Sequence, residues 1–474
     1  MKGCAVIYAS ALIGASLISG CASISGVSIP DKGHYVDAAA ANVAPVVNDP
    51  ENVRLRFVLS RGEGIIQEPA ADRYLNGIAT KLLAGWPKQS VPIPVYVIPS
   101  GSFCAEGVES NAVFIYTGVL QYLADHPQVG TEDHLAFVIA HELSHVLLGH
   151  TRDRARMQEM AHRANGALGL AANILQRSKN SGIAGASQKA AMALLMSIEV
   201  ADGALFPGLS REQENQADVL AVDLMSHAGY SLDVVTQVMD VIKASEKADE
   251  DRRRLLRTQF ITTTQNSVSV QFGAVLAQAW SGIGDTHPAA VDRDSRINSY
   301  IRREYDDQSV APHRKSFEAF LRLPAIRSML ADTQILVRAN DAVVQNQFDQ
   351  AASLLGQLRS RNVINSPLAL TLTMMTSRSP RRDAQVDNVL NNPYATKRLF
   401  EFRGHELESD GKYERALAMY RTAYERFDAP DLLPHQIRLL RRMNRNTEAT
   451  FIAAKCYTLG QTDLQEACAA ESKT

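Results

Sequence analysis

The residues best suited to chemistry are His141, Glu142 and His145, which form a His-Glu-x-x-His pattern. Side chains four positions apart lie on one face of a helix, one turn above another. Two imidazoles at this spacing can bind one metal ion, with the glutamate beside them over a metal-bound water. Such a pentapeptide also arises by chance, so the pattern predicts a metal site with Glu142 as its general base only if a third ligand is found.

The class of metal site depends on that third ligand. The metzincin pattern requires a glycine three residues after the second histidine and a histidine six residues after it. Here Leu148 stands at the first position and His150 comes one residue early, so the metzincin class is rejected. His150 and His134 are instead predicted to be surface or capping residues.

Downstream, the segment Ser210–Asp218 places two carboxylates, Glu214 and Asp218, four residues apart. One carboxylate can bind the metal while the other, a turn away, orients a ligand histidine. This is the gluzincin ligand arrangement, in which two histidines and a glutamate bind the metal and water occupies the fourth coordination position. We therefore expect one Zn²⁺ per chain, bound by His141, His145 and Glu214 and supported by Asp218.

The elements around these residues are predicted from apolar periodicity and are mainly helical. Thr131–Gly149 should be the helix that carries the histidines, and Ser210–His227 the helix that carries the carboxylates. A long stretch rich in alanine, leucine and methionine, Ala155–Phe206, is also predicted to be helical. The remaining predictions before residue 230 are a helix over Asp72–Leu83 and strands over Val91–Ile98 and Ala112–Thr117.

Length and composition bound the fold class. The chain has 474 residues, so two folded units and a leader are expected. Hydrophobic residues make up 46% and the net charge is −2, with basic residues in short clusters, so no nucleic-acid partner is expected. Together with the His-Glu-x-x-His motif, the predicted fold is mainly α (α+β): a zincin metallopeptidase domain with a small β-sheet over residues 51–305, then a helical domain over residues 325–474.

The amino terminus has the pattern of a targeting segment. A positively charged start precedes Ala5–Ile18, an apolar run too short to span a bilayer as a mature helix. The following LISGC sequence, which ends at Cys21, resembles the bacterial lipobox, and Ala22 resembles an outer-membrane sorting signal. We expect residues 1–20 to be removed, Cys21 to be lipidated as a membrane anchor and residues 21–50 to form a tether. The alternative is an ordinary signal peptide that contains a cysteine.

Three further cysteines, Cys104, Cys456 and Cys468, follow the lipobox. An oxidising compartment permits a disulfide, and Cys456 and Cys468 are close enough in sequence to form one if the geometry allows. Cys104 would then be unpaired. It is predicted to be a small buried apolar residue rather than a metal ligand.

The carboxy-terminal part contains a recurring pattern. Residues 345–351 and 410–416 share a short turn, an aromatic residue, two polar residues and an alanine. Residues 381–384 and 446–449 match this pattern more weakly. The four alanines, Ala351, Ala384, Ala416 and Ala449, are 33, 32 and 33 residues apart. This spacing is close to the tetratricopeptide (TPR) period of about 34 residues and predicts TPR-like helical repeats. An irregular helical bundle with accidental spacing is the alternative.

Several motifs in order resemble one family. The pattern at 141–145, followed by Ser-Arg-x-x-Glu-x-x-Ala-Asp at 210–218, is similar to the HtpX and CAAX-prenyl-protease family of zinc metallopeptidases. Thr-His-Pro at 286–288, with Arg293 beyond it, resembles that family's third signature. The leader and repeats resemble the periplasmic members of the BepA type, which assist outer-membrane barrel assembly. The stretch 100–111 departs from the family pattern, so the resemblance does not predict the rim of the cleft.

The resemblance implies roles for further residues. Arg293 would steady a carboxylate or the developing oxyanion, with Arg296 as its rival. His287 would either plug the fourth metal position or contact the substrate. The expected substrate edge strand consists of Ala112, Val113, Phe114, Ile115, Tyr116 and Thr117.

The function expected from these motifs is hydrolysis of peptide bonds in unfolded or misassembled proteins of the bacterial envelope. The expected location is the outer membrane, facing the periplasm through the lipid anchor. Expected partners are unfolded or misfolded polypeptides and, through the TPR-like domain, the outer-membrane protein assembly machinery. The rival hypothesis is a repeat-based chaperone or scaffold whose protease site is normally plugged.

Overall fold

The computed structural model describes residues 27–46, 59, 63–88, 92–108, 111–150, 210–244, 291–459 and 462–472. These residues form a mainly helical molecule with a three-stranded sheet, which confirms the predicted fold class at that level. None of the helices in these ranges is long and apolar enough to cross a bilayer. The predicted leader and the predicted helical stretch Ala155–Phe206 lie outside the described residues and stay predictions.

The elements before residue 305 include the three predicted helices that fall on described residues, with ends shifted by at most three residues. The strand predicted over Val91–Ile98 is shorter, because Pro92 and Pro94 cannot donate ladder hydrogen bonds. In chain order the elements are α1 (Tyr35–Asn42), α2 (Pro69–Leu83), β1 (Val95–Ile98), β2 (Ala105–Val108), β3 (Ala112–Tyr116), α3 (Thr117–Asp125), α4 (Glu132–Leu148), α5 (Arg211–His227) and α6 (Val291–Glu304). Residues 235–244 are also helical.

The sheet has the order β1-β3-β2. Strand β3 is parallel to β1, with Val95 opposite Val113, and antiparallel to β2, with Glu106 opposite Phe114. The prediction of an edge strand over Ala112, Val113, Phe114, Ile115, Tyr116 and Thr117 is therefore wrong, because β3 is paired on both sides and Thr117 already begins α3. Strand β2 lies at one edge of the sheet instead, and β1 lies at the other.

Strand β2 was not predicted because it is short and contains Gly107, which lowers strand propensity. The available signal was Asn111, whose φ of 57° lies in the left-handed region. Asparagine tolerates that conformation and marks turns. A turn just before a strand could have indicated that Ala105–Val108 pairs back on β3.

Helix α4, which carries the His-Glu-x-x-His pattern, is fixed at both ends. At its start, Thr131 accepts a hydrogen bond from the backbone N–H of His134. At its end, Gly149 has a φ of 71°, a left-handed conformation that glycine adopts without strain. All of its residues except Leu148 are buried, so the helix runs through the interior of the molecule.

Two buried carboxylates hold the first turn of α4. Glu132 accepts hydrogen bonds from two tyrosine hydroxyls and a lysine ammonium. Asp133 accepts from the backbone N–H of Ser231 at 2.8 Å, from the backbone N–H of His313, and from the His313 ring Nδ1 at 2.9 Å. Negative charge is favourable at a helix amino terminus, so both residues stabilise the helix while tying it to distant segments.

We expect Asp133→Ala to lower the free energy of unfolding by about 2–4 kcal/mol, because the buried backbone N–H of Ser231 and the partly buried one of His313 lose a charged acceptor. Urea unfolding of the metal-free protein would measure the change. Asp125→Ala, which removes an exposed carboxylate, should change the free energy by less than about 0.5 kcal/mol. Equal unfolding midpoints for the two variants would contradict the assignment.

Residues 27–46, which we call the N-terminal arm, pack against α5 and α6. Asp223 of α5 accepts hydrogen bonds from the Val36 backbone N–H at 2.6 Å and from the Tyr300 hydroxyl at 2.7 Å. Tyr35 and Val36 are buried. The prediction of a tether over residues 21–50 is therefore wrong for the arm. The contacts that bury it come from residues far away in sequence, which local periodicity does not reveal.

The carboxy-terminal part consists of helices in which successive members pack together, such as α8 with α9 and α13 with α14. In chain order they are α7 (Arg314–Arg322), α8 (Pro324–Val344), α9 (Phe348–Leu355), α10 (Arg361–Ile364), α11 (Pro367–Thr376), α12 (Pro380–Leu390), α13 (Lys397–Ser409), α14 (Tyr413–Phe427), α15 (Leu433–Arg442), α16 (Asn446–Thr458) and α17 (Thr462–Ser472), with a 3-10 turn at Pro430–Leu432.

Three of the four alanines of the recurring pattern occupy equivalent places in these helices. Each is buried, is the fourth residue of its helix, and follows a left-handed turn residue five positions earlier. The pairs are Ala351 with Asn346, Ala416 with Gly411, and Ala449 with Asn444. Ala384 departs, because it is exposed on α12. A recurring turn–helix unit is thus present, and its assignment to the tetratricopeptide class stays a prediction.

Packing does not stop at the predicted domain boundary. The sheet separates two hydrophobic cores, because successive side chains of β3 point to opposite faces. Val113 and Ile115 belong to a core that also contains α4, α5 and residues of α11. Phe114 and Tyr116 belong to a second core with α13 to α17. The predicted units 51–305 and 325–474 therefore share both cores.

A disulfide joins Cys456 of α16 to Cys468 of α17, and both residues are buried. Cys104 is not part of a disulfide and lies half-buried against the second core. Its position agrees with an apolar packing role, although it is less buried than predicted.

Candidate metal centre

The three predicted metal ligands lie together where α4 packs against α5. His141 Nε2 is 3.1 Å from His145 Nε2, and each nitrogen is 3.5 Å from one carboxylate oxygen of Glu214. All three side chains are buried. The two histidines lie one turn apart on α4, and Glu214 lies in the first turn of α5, so the packing of two helices is enough to assemble the cluster.

The geometry of this cluster fits a small divalent metal ion. The ligand atoms all lie within 4.8 Å of one another. Two donors on a tetrahedral Zn²⁺, each about 2.0–2.1 Å from the ion, stand about 3.3 Å apart. The separations of 3.1 and 3.5 Å bracket that value. Two imidazoles and one carboxylate therefore can hold a metal ion and leave a fourth coordination position.

The predicted general base, Glu142, lies against the edge strand. Its Oε2 accepts a hydrogen bond from the Gly107 backbone N–H at 2.6 Å. A Cβ on Gly107 would lie 2.4 Å from the Glu142 carbonyl oxygen, so a side chain at this position would push β2 away from α4. Gly107 thus allows the close approach that places the sheet edge beside the base.

Asp218 and Arg293 support the ligands from behind. Asp218 Oδ1 is 3.0 Å from His141 Nδ1, the ring nitrogen that does not face the cluster. Arg293 donates to both Asp218 oxygens, at 2.8 and 2.9 Å, and its Nη1 lies 2.8 Å from Glu214 Oε2. Of the two roles expected for Arg293, the structure places it on carboxylates. Its rival, Arg296, is exposed.

These contacts set the protonation of the metal-free cluster. Burial alone would lower the pKa of His141, but the Asp218 and Glu214 carboxylates raise it to about 10. Burial would raise the pKa of Asp218, but Arg293 and His141 hold it below its ordinary value. Without a metal, His141 is therefore protonated at neutral pH and Asp218 is ionised.

We expect the apparent affinity for zinc to rise with pH, by about tenfold per unit between pH 6 and 8. The sign follows because the raised pKa of His141 makes a proton compete with the metal below about pH 10. Competition with a chromophoric chelator, corrected for protonation of the chelator, would measure the slope. Asp218→Asn removes one of the two carboxylates that raise this pKa and should flatten the slope. A flat profile for the unmodified protein would contradict the prediction.

His150 also contacts the cluster, and Gln216 contacts His150, although no sequence pattern predicts either contact. His150 Nδ1 is 2.9 Å from His145 Nδ1, and His150 Nε2 is 3.0 Å from Gln216 Oε1. The prediction that His150 is a surface or capping residue is wrong. The left-handed turn at Gly149 folds the chain back, so that His150 N donates to the His145 carbonyl.

His134 also differs from its prediction. It is buried rather than on the surface, and its Nδ1 lies 2.7 Å from Oγ1 of the helix-capping residue Thr131. The capping residue of the helix is Thr131, so the prediction that His134 is a surface or capping residue is wrong. Two other predicted functional residues, His287 and Cys21, lie outside the described residues. The plug or substrate-contact role and the lipidation stay predictions.

Comparison with known proteins supports a metallopeptidase. Residues 96–301 match the model of Peptidase family M48. A search of curated proteins found no match. The matched segment contains His141, His145, Glu214 and Arg293, and it ends before the carboxy-terminal helices. The match supports the M48 metallopeptidase family for this segment and implies a metalloprotease.

Proposed function

We propose that the chain is a zinc metalloendopeptidase with His141, His145 and Glu214 as its metal ligands. The observation that carries this proposal is the buried cluster of two imidazoles and one carboxylate, with Glu142 on the same helix. The cluster lies within the segment that matches the M48 model. Zinc is the metal proposed because this ligand set, with a fourth position left for water, is typical of catalytic zinc sites.

The residues around the proposed metal site would have different roles in catalysis. When bound, zinc would polarise the scissile carbonyl and lower the pKa of a water molecule. Glu142 would take the proton from that water and deliver it to the leaving amine. The Gly107 N–H orients the Glu142 carboxylate. Asp218 and Arg293 would keep His141 and Glu214 in place during the reaction.

The sheet edge supports an extended polypeptide as the substrate. The Gly107 N–H points away from β3 towards Glu142, and no other described strand pairs with the outer edge of β2. A peptide added there as a strand would pass beside the base. Such binding relies on main-chain hydrogen bonds, so it would favour unfolded over folded polypeptide. Ala105–Val108 thus takes the role first predicted for Ala112–Thr117.

We place this activity in protein quality control in the bacterial envelope. The lipobox-like sequence at Cys21 supports an outer-membrane lipoprotein that faces the periplasm. The Cys456–Cys468 disulfide supports an oxidising compartment. The substrates would be unfolded or misassembled envelope proteins. The recurring turn–helix units support contact with the outer-membrane assembly machinery, as in the BepA-type proteases that the sequence resembles.

A second candidate function is a chaperone or scaffold for outer-membrane protein assembly, with a protease site that is normally plugged. The observation that favours it is the extent of the helical part, which shares both hydrophobic cores with the sheet. Under this alternative the Glu142→Gln variant would still support barrel assembly. Under the proteolytic function it would not clear misassembled barrels.

The proposal is tested by incubating the purified mature chain with casein and with a misfolded barrel protein. We expect cleavage that a chelator stops and that added Zn²⁺ restores, with a tightly folded protein of similar size left intact. Absence of cleavage by protein shown to contain one zinc ion per chain would reject peptidase activity under resting conditions and favour the scaffold.

A further inference from the structure

A chain of buried hydrogen bonds leads from the second ligand histidine to the N-terminal arm. His145 Nδ1 is 2.9 Å from His150 Nδ1, and His150 Nε2 is 3.0 Å from Gln216 Oε1. Gln216 Nε2 donates to the Val27 carbonyl and to Glu212 Oε1, each at 3.2 Å. His145, His150 and Gln216 are all buried, at 1%, 8% and 1% exposure, so these contacts do not compete with bulk water.

The far end of this chain sets the direction of every hydrogen bond in it. A carbonyl and a carboxylate can only accept, so the Gln216 amide turns its NH₂ group towards Val27 and Glu212. Its Oε1 then faces His150 and accepts from His150 Nε2–H. A neutral imidazole with its hydrogen on Nε2 has a bare Nδ1, which accepts. His145 must therefore donate from Nδ1.

This direction matters because it decides which nitrogen of His145 can bind a metal. With the hydrogen on Nδ1, the lone pair of His145 lies on Nε2, the atom that is 3.5 Å from Glu214 and 3.1 Å from His141 Nε2. A metal ligand needs that tautomer, and the partner of its other nitrogen normally selects it. His141 has a carboxylate for this purpose, Asp218, whereas His145 has a neutral side chain.

We propose that His150 and Gln216 are positioning residues of the metal site, which hold His145 in its metal-binding tautomer and orientation. This inference rests on the proposed metal site and goes beyond its ligands and base. Neither residue contacts the metal-facing nitrogen of His145, because His150 meets its Nδ1 and Gln216 meets His150. Each acts through the next member of the chain.

The N-terminal arm completes the arrangement. The Val27 carbonyl also accepts from the Tyr35 hydroxyl at 2.9 Å, which steadies the acceptor that orients Gln216. Gln216 and Asp223 lie seven residues apart on α5, hence on one face of the helix, and both hold the arm. The arm is therefore the structural end point of the support for His145.

The test measures metal affinity rather than turnover. We expect His150→Phe and Gln216→Leu each to weaken Zn²⁺ binding by about 10–100-fold, the usual effect of losing such a partner. The double variant should bind Zn²⁺ at most about threefold more weakly than the single variant with the lower affinity. The two effects should not add, because both changes break the same chain of hydrogen bonds. His150→Gln, which keeps an acceptor towards His145 and a donor towards Gln216, should recover most of the affinity.

Chelator competition would give the affinities, and the visible spectrum of the Co²⁺-loaded protein would report the ligand geometry. The thermal midpoint of the metal-free protein shows whether each variant folds. If His150→Phe does not fold, Gln216→Leu, compared with His150→Gln, carries the test. Affinities within threefold of the unmodified protein for folded His150→Phe or Gln216→Leu would overturn the inference. Absence of metal binding by the unmodified protein would instead reject the proposed metal site.

Discussion

Glu142→Gln is expected to lower kcat by about 10³-fold while the zinc content stays at one ion per chain. A positioned general base contributes about 10²–10⁴-fold to the rate, and an amide cannot accept the proton. Glutamine has the same shape as glutamate and can still accept from the Gly107 N–H, so the surrounding structure should persist. Steady-state kinetics on a fluorogenic peptide, together with elemental analysis, would measure both quantities.

Glu106→Gln is the matched control for this experiment. Glu106 precedes Gly107 on β2, but its side chain points to the other face of the strand, away from α4, where its Oε1 accepts from the Tyr116 hydroxyl at 2.7 Å. Glutamine can also accept from that hydroxyl. The control should therefore keep its activity within about threefold. Equal losses in the two variants would show that disturbance of β2, rather than loss of a base, explains the effect.

Glu214→Ala and His145→Ala are expected to lose the metal itself. Two remaining ligands bind zinc far more weakly than three, so zinc content after gel filtration should fall from about one ion per chain to less than about 0.1. Activity should fall with it. In Glu214→Ala the change also removes one carboxylate partner of Arg293, which further loosens the site.

The thermal midpoint with and without Zn²⁺ provides a second measurement, because a ligand that binds the native state raises its stability. The unmodified protein should show a shift that both variants lack. Glu318→Ala, which removes an exposed carboxylate paired with Arg322, should keep the zinc and the shift. Full zinc content in Glu214→Ala would place the third ligand elsewhere.

The sequence by itself was informative wherever the determinant is local. The positions of α2, α4 and α5 follow from apolar periodicity and from caps such as Thr131 and Gly149. The spacing of His141 and His145 on one helix face needs no tertiary information. The recurring turn at Asn346, Gly411 and Asn444 is likewise local, since a left-handed residue is marked by glycine or asparagine.

Only the tertiary structure decided what depends on contacts between segments distant in sequence. Strand order is one case. The residues of β3 predict a strand but do not indicate whether it lies in the middle or at an edge of the sheet. The pairing that places β2 at an edge is not indicated by a four-residue segment that contains a glycine. The N-terminal arm is another, because Asp223 meets Val36 across 187 residues. The support of His145 by His150 and Gln216 likewise requires the packing of α4 on α5. Residue types and spacings thus predict which groups can do chemistry, whereas packing decides which partners hold them in place.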